Sequence, residues 1–150
     1  MPGETEKKTI KDAVHDHIEV GGFALYLLDT PEMQRLRHIR QLGTAYLVYP
    51  SANHTRFEHS LGVYHLAEQA LRNLGVEGRE RDEVRAAALL HDIGHTPFSH
   101  NIEDIVEEEI GRKHDEVDDL IDGRISEILE REGLSPERVA GLIRGEGKLG

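Results

Sequence analysis

The feature that most constrains the fold of this chain is an apolar stretch that runs directly into a group of histidines. Residues Ala86–Leu90 lead into the pair His91 and Asp92, and His95 and His100 follow. Positions at helical spacing predict a helix with one apolar face that ends in the histidine. That face comprises Val84, Ala87, Ala88 and His91. Imidazole nitrogens and a carboxylate are ligands that suit a divalent metal of the kind used in hydrolysis.

Two interpretations of this histidine-aspartate pair stay open on the residues alone. The dipeptide by itself identifies nothing, because the chain has three such pairs, and only the one at 91–92 ends a run typical of a buried helix. Periodicity favours a core histidine bonded to a backbone carbonyl about as strongly as a ligand. The adjacent Asp92 shifts the balance towards a metal, since a buried carboxylate is costly unless it is paired or metal-bound.

Composition limits the functions open to the chain. Its 150 residues suit one domain, and 29 acidic against 18 basic side chains give a formal net charge of −11. This charge argues against nucleic acid and anionic membranes as partners. It leaves a phosphate substrate open, because a metal and local arginines invert the field inside a pocket. The chain has no cysteine and no long apolar run, so we expect a cytoplasmic protein without disulfides or a membrane span.

Apolar periodicity and capping signals predict an all-α fold. Near the N-terminus, residues 10–20 suit a short strand or a loop, which allows a short β-hairpin there. Thr30 and Pro31 begin a helix whose apolar face runs to Leu42 before Gly43, and residues 46–50 are β-prone. Further helices are predicted from near His59 to Leu74, up to His91, over 101–110, over 117–129 with a break at Gly123, and from Ser135.

Four segments in a fixed order carry a more specific pattern. They are Ile10–Glu19, Asp29–Gly43, Arg56–Gly62 and His91–His100. Together they resemble the HD-domain metal-dependent phosphohydrolases, in particular their deoxynucleoside-triphosphate triphosphohydrolase branch. The likeness extends from about residue 8 to about residue 122 and implies an HD-domain helical bundle. Ala13 and Asp16 depart from it, because the family usually carries proline and glycine there.

The resemblance implies a metal site in which His59, His91 and Asp92 are three of four ligands. The fourth is a distal aspartate on a later helix, and no aspartate follows Asp122. We therefore expect residues 1–150 to be the N-terminal part of an HD domain, truncated before that ligand. Alone, this part should be poorly active or inactive, with apolar surface left uncovered around Ile125, Ile128 and Leu142. Nearer candidates for the fourth ligand are Asp115, Asp118, Asp119 and Asp122.

The resemblance also implies catalytic roles for three further residues. His95 and Glu103 would orient a water or a phosphate oxygen, and His114 would protonate the leaving 5′-oxygen, a task that suits a histidine pKa near 6.5. Alternatives stay open for two of them. Glu103 fits an ordinary acid near a helix N-terminus, and His114 fits a surface histidine in an acidic loop.

Substrate and regulatory contacts follow from the same likeness. Arg56 and His100 would bind phosphate, although Arg56 fits equally well as a partner of Glu58 or of a core carboxylate. Gln41 would lie near the substrate sugar. A guanine nucleotide at a subunit interface, with GTP or a dNTP as regulator of a homo-oligomer, would contact Asp29, Gln34 and Arg37. The last two are also common types of exposed helical residue.

The function implied is metal-dependent hydrolysis of a nucleotide substrate, with a dNTP converted to a deoxynucleoside and triphosphate. The divalent ion is one of Mn, Fe, Mg, Ni or Zn, because nitrogen and oxygen ligands admit all of them. Two alternatives remain. One is hydrolysis of another phosphomonoester or phosphodiester, and the other is a non-catalytic nucleotide-binding module.

Overall fold

The computed structural model describes residues 6–98, 105, 107–109, 111 and 117–146. Within these ranges the fold is helical apart from one two-stranded antiparallel sheet, which confirms the all-α prediction and its N-terminal hairpin. The elements are β1 (Lys7–Asp12), β2 (Asp16–Gly21), α1 (Phe23–Leu28), α2 (Pro31–Arg35), 3-10 turns at Leu36–His38 and Ala45–Leu47, α3 (Arg56–Leu74), α4 (Gly78–Leu90), α5 (Arg124–Arg131) and α6 (Pro136–Ile143). Residues 105 and 107–109 are also helical, inside the helix predicted over 101–110.

The hairpin forms because its second strand alternates apolar and polar residues. Ile18 and Val20 are buried while His17 and Glu19 face solvent, which is the period of two that a half-buried strand requires. The turn between the strands is held by Asp12, whose Oδ2 accepts hydrogen bonds from the backbone N–H of Val14 (3.0 Å) and of the next residue (2.9 Å). The second strand of the hairpin packs against α1 and α3.

Asp16, which stands where the resembled family usually carries glycine, is expected to lower the free energy of unfolding. Its φ is +61°, a left-handed conformation that glycine adopts freely and other residues do not. We expect Asp16→Gly to raise the free energy of unfolding by about 0.5–1 kcal/mol in urea denaturation. The contact of Asp16 with His17 is exposed and contributes little. Asp16→Ala is the matched control, because it removes the same carboxylate but keeps a Cβ; a gain equal to that of glycine would contradict the backbone explanation.

The core is built around α1, a short helix that is almost entirely apolar. Five of its six residues, all except Tyr26, are buried, and the helix packs against β2, α4 and α5. Helix α4 is the central element, since α3 and α6 pack on it as well. The buried carboxylate of Glu83 on α4 forms ion pairs with Arg79 (3.0 Å) and Arg138 (2.6 Å). The pair with Arg138 joins α4 to α6. The first and last thirds of the chain thus share one core with α4.

The helix predicted from Pro31 to Leu42 is much shorter in the structure. It begins at Pro31 as expected, but it ends at Arg35, and Leu36–His38 form a 3-10 turn. Ile39 is extended, and its carbonyl accepts the N–H of Arg56, while Gln41 N–H donates to the carbonyl of residue 54. Pairing of residues 39–41 with 54–56 replaces helical hydrogen bonds, which is a long-range effect that local periodicity does not reveal.

Three other sequence predictions need correction. Residues 46–50 are not a strand, because a 3-10 turn at Ala45–Leu47 leads into further turns. The helix predicted over 117–129 does break at Gly123, whose φ is +59°, but only the part after the break, from Arg124, is helical. Ile125 and Ile128 are not left uncovered, since both are buried in the main core. Only Leu142, of the three apolar residues expected at an exposed face, stays partly accessible.

Candidate metal centre

The first side of the site is the N-terminal turn of α3, which begins three residues earlier than predicted. Thr55 and Glu58 form a capping box, in which the Thr55 hydroxyl accepts the N–H of Glu58 and the Glu58 carboxylate accepts the N–H of Thr55. The sequence carried this signal as threonine followed three residues later by glutamate. The cap fixes the turn that presents Arg56 and His59.

We expect Thr55→Ala to lower the free energy of unfolding by about 1 kcal/mol, because the backbone N–H of Glu58 in the first turn of α3 loses its side-chain acceptor. Thermal or urea unfolding of the metal-free protein measures this. Ser51→Ala, an exposed hydroxyl deletion in the preceding turn, is the control and should leave stability unchanged. Equal unfolding free energies for the two variants would show that the capping box does not stabilise α3.

The second side is the C-terminal end of α4, where the predicted helix ends at the expected residue. His91 is the C-cap of α4, and its Nδ1 lies 2.8 Å from the carbonyl oxygen of Ala88. A carbonyl only accepts, so this nitrogen carries the proton and donates it. The other ring nitrogen, Nε2, then has its lone pair available. A histidine that donates one nitrogen to a backbone carbonyl and presents the other is the usual arrangement of a metal ligand.

Helices α3 and α4 bring three donor groups together at one point. His91 Nε2 lies 3.2 Å from His59 Nε2 and 3.3 Å from Asp92 Oδ1, and His59 Nε2 lies 3.8 Å from Asp92 Oδ2. All three ligand atoms fall within 4.8 Å of one another, and within the described ranges this is the one such group of three or more. The side chains of His59 and His91 are 31% and 28% exposed, so the cluster opens to solvent on one side.

Asp92 is the buried member of the cluster and is ionised. Burial alone would raise the pKa of its carboxyl, but His91, His95 and Arg56 outweigh this effect and hold the pKa below its ordinary value. Arg56 is itself only 3% exposed, and its Nη1 donates to Asp92 Oδ2 at 2.9 Å. The pair satisfies the rule that a buried charge needs a close partner.

His59 is biased towards its neutral form. Burial lowers the pKa of its imidazole, the nearby Asp92 partly opposes this, and the neighbouring His91 and Arg56 lower the pKa further. A neutral imidazole ring keeps a lone pair that it can donate to a metal ion. Two imidazole nitrogens 3.2 Å apart beside a carboxylate oxygen therefore place several lone pairs around one point. A divalent cation fits this donor set, because it supplies the positive charge that these groups converge on.

The structure places the other predicted site residues at different distances from this cluster. His95 is buried, and its Nε2 lies 3.4 Å from Asp92 Oδ1, so it contacts one member of the cluster. Arg56 takes the alternative that the sequence left open, as partner of a core carboxylate. Gln41 lies next to the start of α3 through its backbone bond to residue 54. Glu103, His100 and His114 lie outside the described residues.

The candidates for regulation and for the fourth ligand lie elsewhere. Gln34 and Arg37 contact each other, Arg37 Nε donating to Gln34 Oε1 at 2.8 Å, while Asp29 is exposed at the end of α1. Asp118 is exposed and forms an ion pair with Arg144 (2.6 Å). Two further exposed aspartates, at 119 and 122, stand outside the ligand cluster, and residue 115 is not among those described.

One functional candidate escaped sequence reasoning altogether. Arg35, on α2, donates from Nη2 to the carbonyl oxygens of Ile93 and His95, both at 2.7 Å. These carbonyls belong to the loop that follows His91 and Asp92. No local sequence pattern predicts a contact between residues about sixty positions apart. Close to Arg35 in the sequence, the resemblance assigns roles only to Gln34 and Arg37.

An apolar groove of about 340 Å³ opens beside His91. Its walls include Val84, Ala87 and Ala88, the face predicted to be buried. Only Ala87 of these three is fully buried, and the deeper core positions of α4 are instead Ala86, Leu89 and Leu90. The predicted apolar face is therefore real, but it lines an opening next to the ligand cluster rather than the centre of the core.

The family follows from residues 56–149, which match the HD domain family, so the chain belongs to that family. Human deoxynucleoside triphosphate triphosphohydrolase SAMHD1 is 40% identical over 147 residues, covering 87% of this chain and 24% of the human protein. An uncharacterized protein of Methanocaldococcus jannaschii is 42% identical over 141 residues, covering 91% of this chain and 31% of that protein.

A solved structure gives the same result for the fold. A phosphohydrolase from Bacteroides thetaiotaomicron superposes with a TM-score of 0.79 at 34% identity, over 95% of this chain and 36% of that one. The chain thus spans about a third or less of the length of these relatives. The HD family and its helical fold are shown, and none of the helices in the described ranges combines the length and apolar character that crossing a membrane requires.

Proposed function

We propose that this chain forms the metal centre of a phosphohydrolase that acts on nucleotides, with dNTP hydrolysis to deoxynucleoside and triphosphate as its reaction. The observation that carries the proposal is the convergence of His59, His91 and Asp92 within 4.8 Å on two adjacent helices. Membership of the HD family supports it, as does the similarity to a relative named as a dNTP triphosphohydrolase. The fourth ligand comes from outside the described residues, because the exposed Asp118, Asp119 and Asp122 do not join the cluster.

The residues of the cluster have distinct roles in this proposal. His59, His91 and Asp92 hold a divalent cation, which when bound lowers the pKa of a coordinated water and neutralises phosphate charge. His91, His95 and Arg56 hold the pKa of Asp92 below its ordinary value, and Arg56 contributes through its 2.9 Å hydrogen bond to the carboxylate. Ala88 fixes the tautomer of His91 through its carbonyl. His95, together with Glu103, orients a water or phosphate oxygen, and His114 protonates the leaving oxygen.

Substrate contacts and assembly belong to the same proposal. His100 contacts phosphate and Gln41 approaches the sugar, while the buried Arg56 acts on Asp92 instead. A regulatory GTP or dNTP binds at Asp29, Gln34 and Arg37 in a homo-oligomer. Light scattering with and without GTP and dATP tests this part, since we expect the molar mass of the protein in solution to rise from monomer to oligomer when the nucleotides are added. A monomer under all conditions would contradict it.

An assay over a substrate panel tests the reaction itself. The full-length protein is loaded separately with Mn²⁺, Fe²⁺, Mg²⁺, Ni²⁺ or Zn²⁺ and incubated with dNTPs, NTPs and a phosphodiester, and chromatography identifies the products. We expect deoxynucleoside and triphosphate from dNTPs, with the activity of Asp92→Asn at background. Release of inorganic phosphate instead favours another phosphomonoester reaction. Tight nucleotide binding without turnover by the metal-loaded protein would favour a binding module.

A further inference from the structure

The loop from Asp92 to His95 is hydrogen-bonded to helix α2 by the side chain of Arg35. Arg35 lies on α2, and its Nη2 donates to the carbonyl oxygens of Ile93 and His95, each at 2.7 Å. The guanidinium therefore donates hydrogen bonds to the backbone carbonyls on both sides of Gly94, which restrains the loop backbone at two points. Hydrogen bonds from a charged donor are stronger than neutral ones.

The local bonds of this loop do not by themselves fix its position. Ile93 N–H donates to Leu90 and His95 N–H donates to Asp92, both at 3.1 Å, and these bonds only close consecutive turns. The buried side chain of Ile93 anchors the loop in the core, and Arg35 provides a second link to another element. Helix α2 is anchored by the fully buried Met33, and the 3-10 turn that follows it is anchored by the fully buried Leu36, so Arg35 projects from a fixed base.

The position of this loop determines the geometry of the cluster. It begins with Asp92 and ends with His95, whose Nε2 lies 3.4 Å from Asp92 Oδ1. A shift of the loop backbone moves both groups relative to His59 on α3. Ligand groups need to be held to within roughly 0.5 Å for a metal site to work, and hydrogen bonds behind the ligands provide this.

We propose that Arg35 is a positioning residue that holds the loop of Asp92 and His95 in the geometry of the metal centre. The inference rests on the proposed metal function, but the bonds it starts from do not involve a metal. Arg35 touches neither ligand side chains nor substrate in this arrangement. It acts through the backbone of residues 93 and 95.

Metal affinity tests the inference. In Co²⁺ titrations followed by visible absorption, we expect Arg35→Ala to weaken binding by about 10–100-fold, the range for loss of a group that orients ligands. Arg35→Lys keeps the charge, but its shorter side chain lacks the rigid terminal nitrogen that donates to both carbonyls, so its affinity should be intermediate. Arg124→Ala, which removes an exposed arginine on α5, is the control and should match the parent protein.

A second readout needs no metal. Long-range ¹H–¹⁵N spectra of the histidine rings in EDTA should show the His95 resonances shifted in Arg35→Ala, with those of the distant His65 unchanged. A purely structural role would lower the free energy of unfolding and leave both the cobalt affinity and the His95 resonances as in the parent. That result in a folded Arg35→Ala protein overturns the inference. If this variant does not fold, Arg35→Lys is judged by the same two criteria.

The two readouts also separate the inference from the proposed function. A parent protein that binds no cobalt overturns the metal proposal, and the metal-free spectra then decide whether Arg35 positions His95. A parent that binds cobalt while Arg35→Ala binds within about twofold of it retains the metal proposal and overturns the positioning role.

Discussion

Replacing His91 with alanine is expected to remove the bound metal from the protein. The parent should purify with about one divalent transition-metal ion per chain, and the variant with nearly none, because His91 supplies one of the three converging donors. The imidazole Nε2 lies 3.2 Å from His59 Nε2 and 3.3 Å from Asp92 Oδ1, so its loss leaves only two of the three donors. Elemental analysis after dialysis measures the metal content of both proteins.

The controls for this experiment come from the same chain. His65 is a partly exposed histidine on α3 that contacts His15 and Gln69 and lies outside the ligand cluster. The metal content of His65→Ala should therefore equal that of the parent. Far-UV circular dichroism should show that His91→Ala keeps the helical fold, since its side chain is 28% exposed and lies at the end of α4. Undiminished metal in His91→Ala would refute this assignment of the centre.

The parts of this site that sequence reasoning reached were those encoded locally. Helix α4 ends at His91 because an apolar run leads into a turn, and periodicity shows this directly. The pairing of His59 with His91 came from the resemblance, because no local rule states that residues 32 positions apart meet. The sequence also allowed Arg56 a core carboxylate as partner. That this partner is Asp92 depends on how α3 crosses the end of α4.

The parts that were wrong or missed depend on long-range contacts. The helix predicted to Leu42 gives way after Arg35 because residues 39–41 pair with the start of α3, and a backbone pairing leaves no mark in the apolar pattern. The same contact geometry turns Arg35 from an ordinary helical arginine into a clamp on the loop of Ile93 and His95. Burial of Ile125 and Ile128 was missed because the partner, α1, lies about a hundred residues earlier.

The largest effect on stability is expected from the buried ion pair. Arg56 and Asp92 are 3% and 4% exposed, and Arg56→Met leaves the Asp92 carboxylate without its 2.9 Å donor. Breaking one side of a buried pair costs about 3–5 kcal/mol, and we expect a loss of this size in urea denaturation of the metal-free protein. Arg79→Met is the control, because Arg79 is 62% exposed and its partner Glu83 keeps Arg138, so the loss should stay below about 1 kcal/mol.

The pH dependence and a double variant identify the cause of that loss. In the parent, the lowered pKa of Asp92 stabilises the fold above the unfolded-state pKa near 3.9, and this contribution disappears as the pH falls through the folded-state value. Without Arg56, burial favours the neutral carboxyl, so the deficit of Arg56→Met should shrink as acid protonates it. Arg56→Met combined with Asp92→Asn removes both charges and should be more stable than Arg56→Met alone by at least about 1 kcal/mol. Additive losses would mean that the packing of the arginine stem, rather than its charge on Asp92, holds α3 against α4.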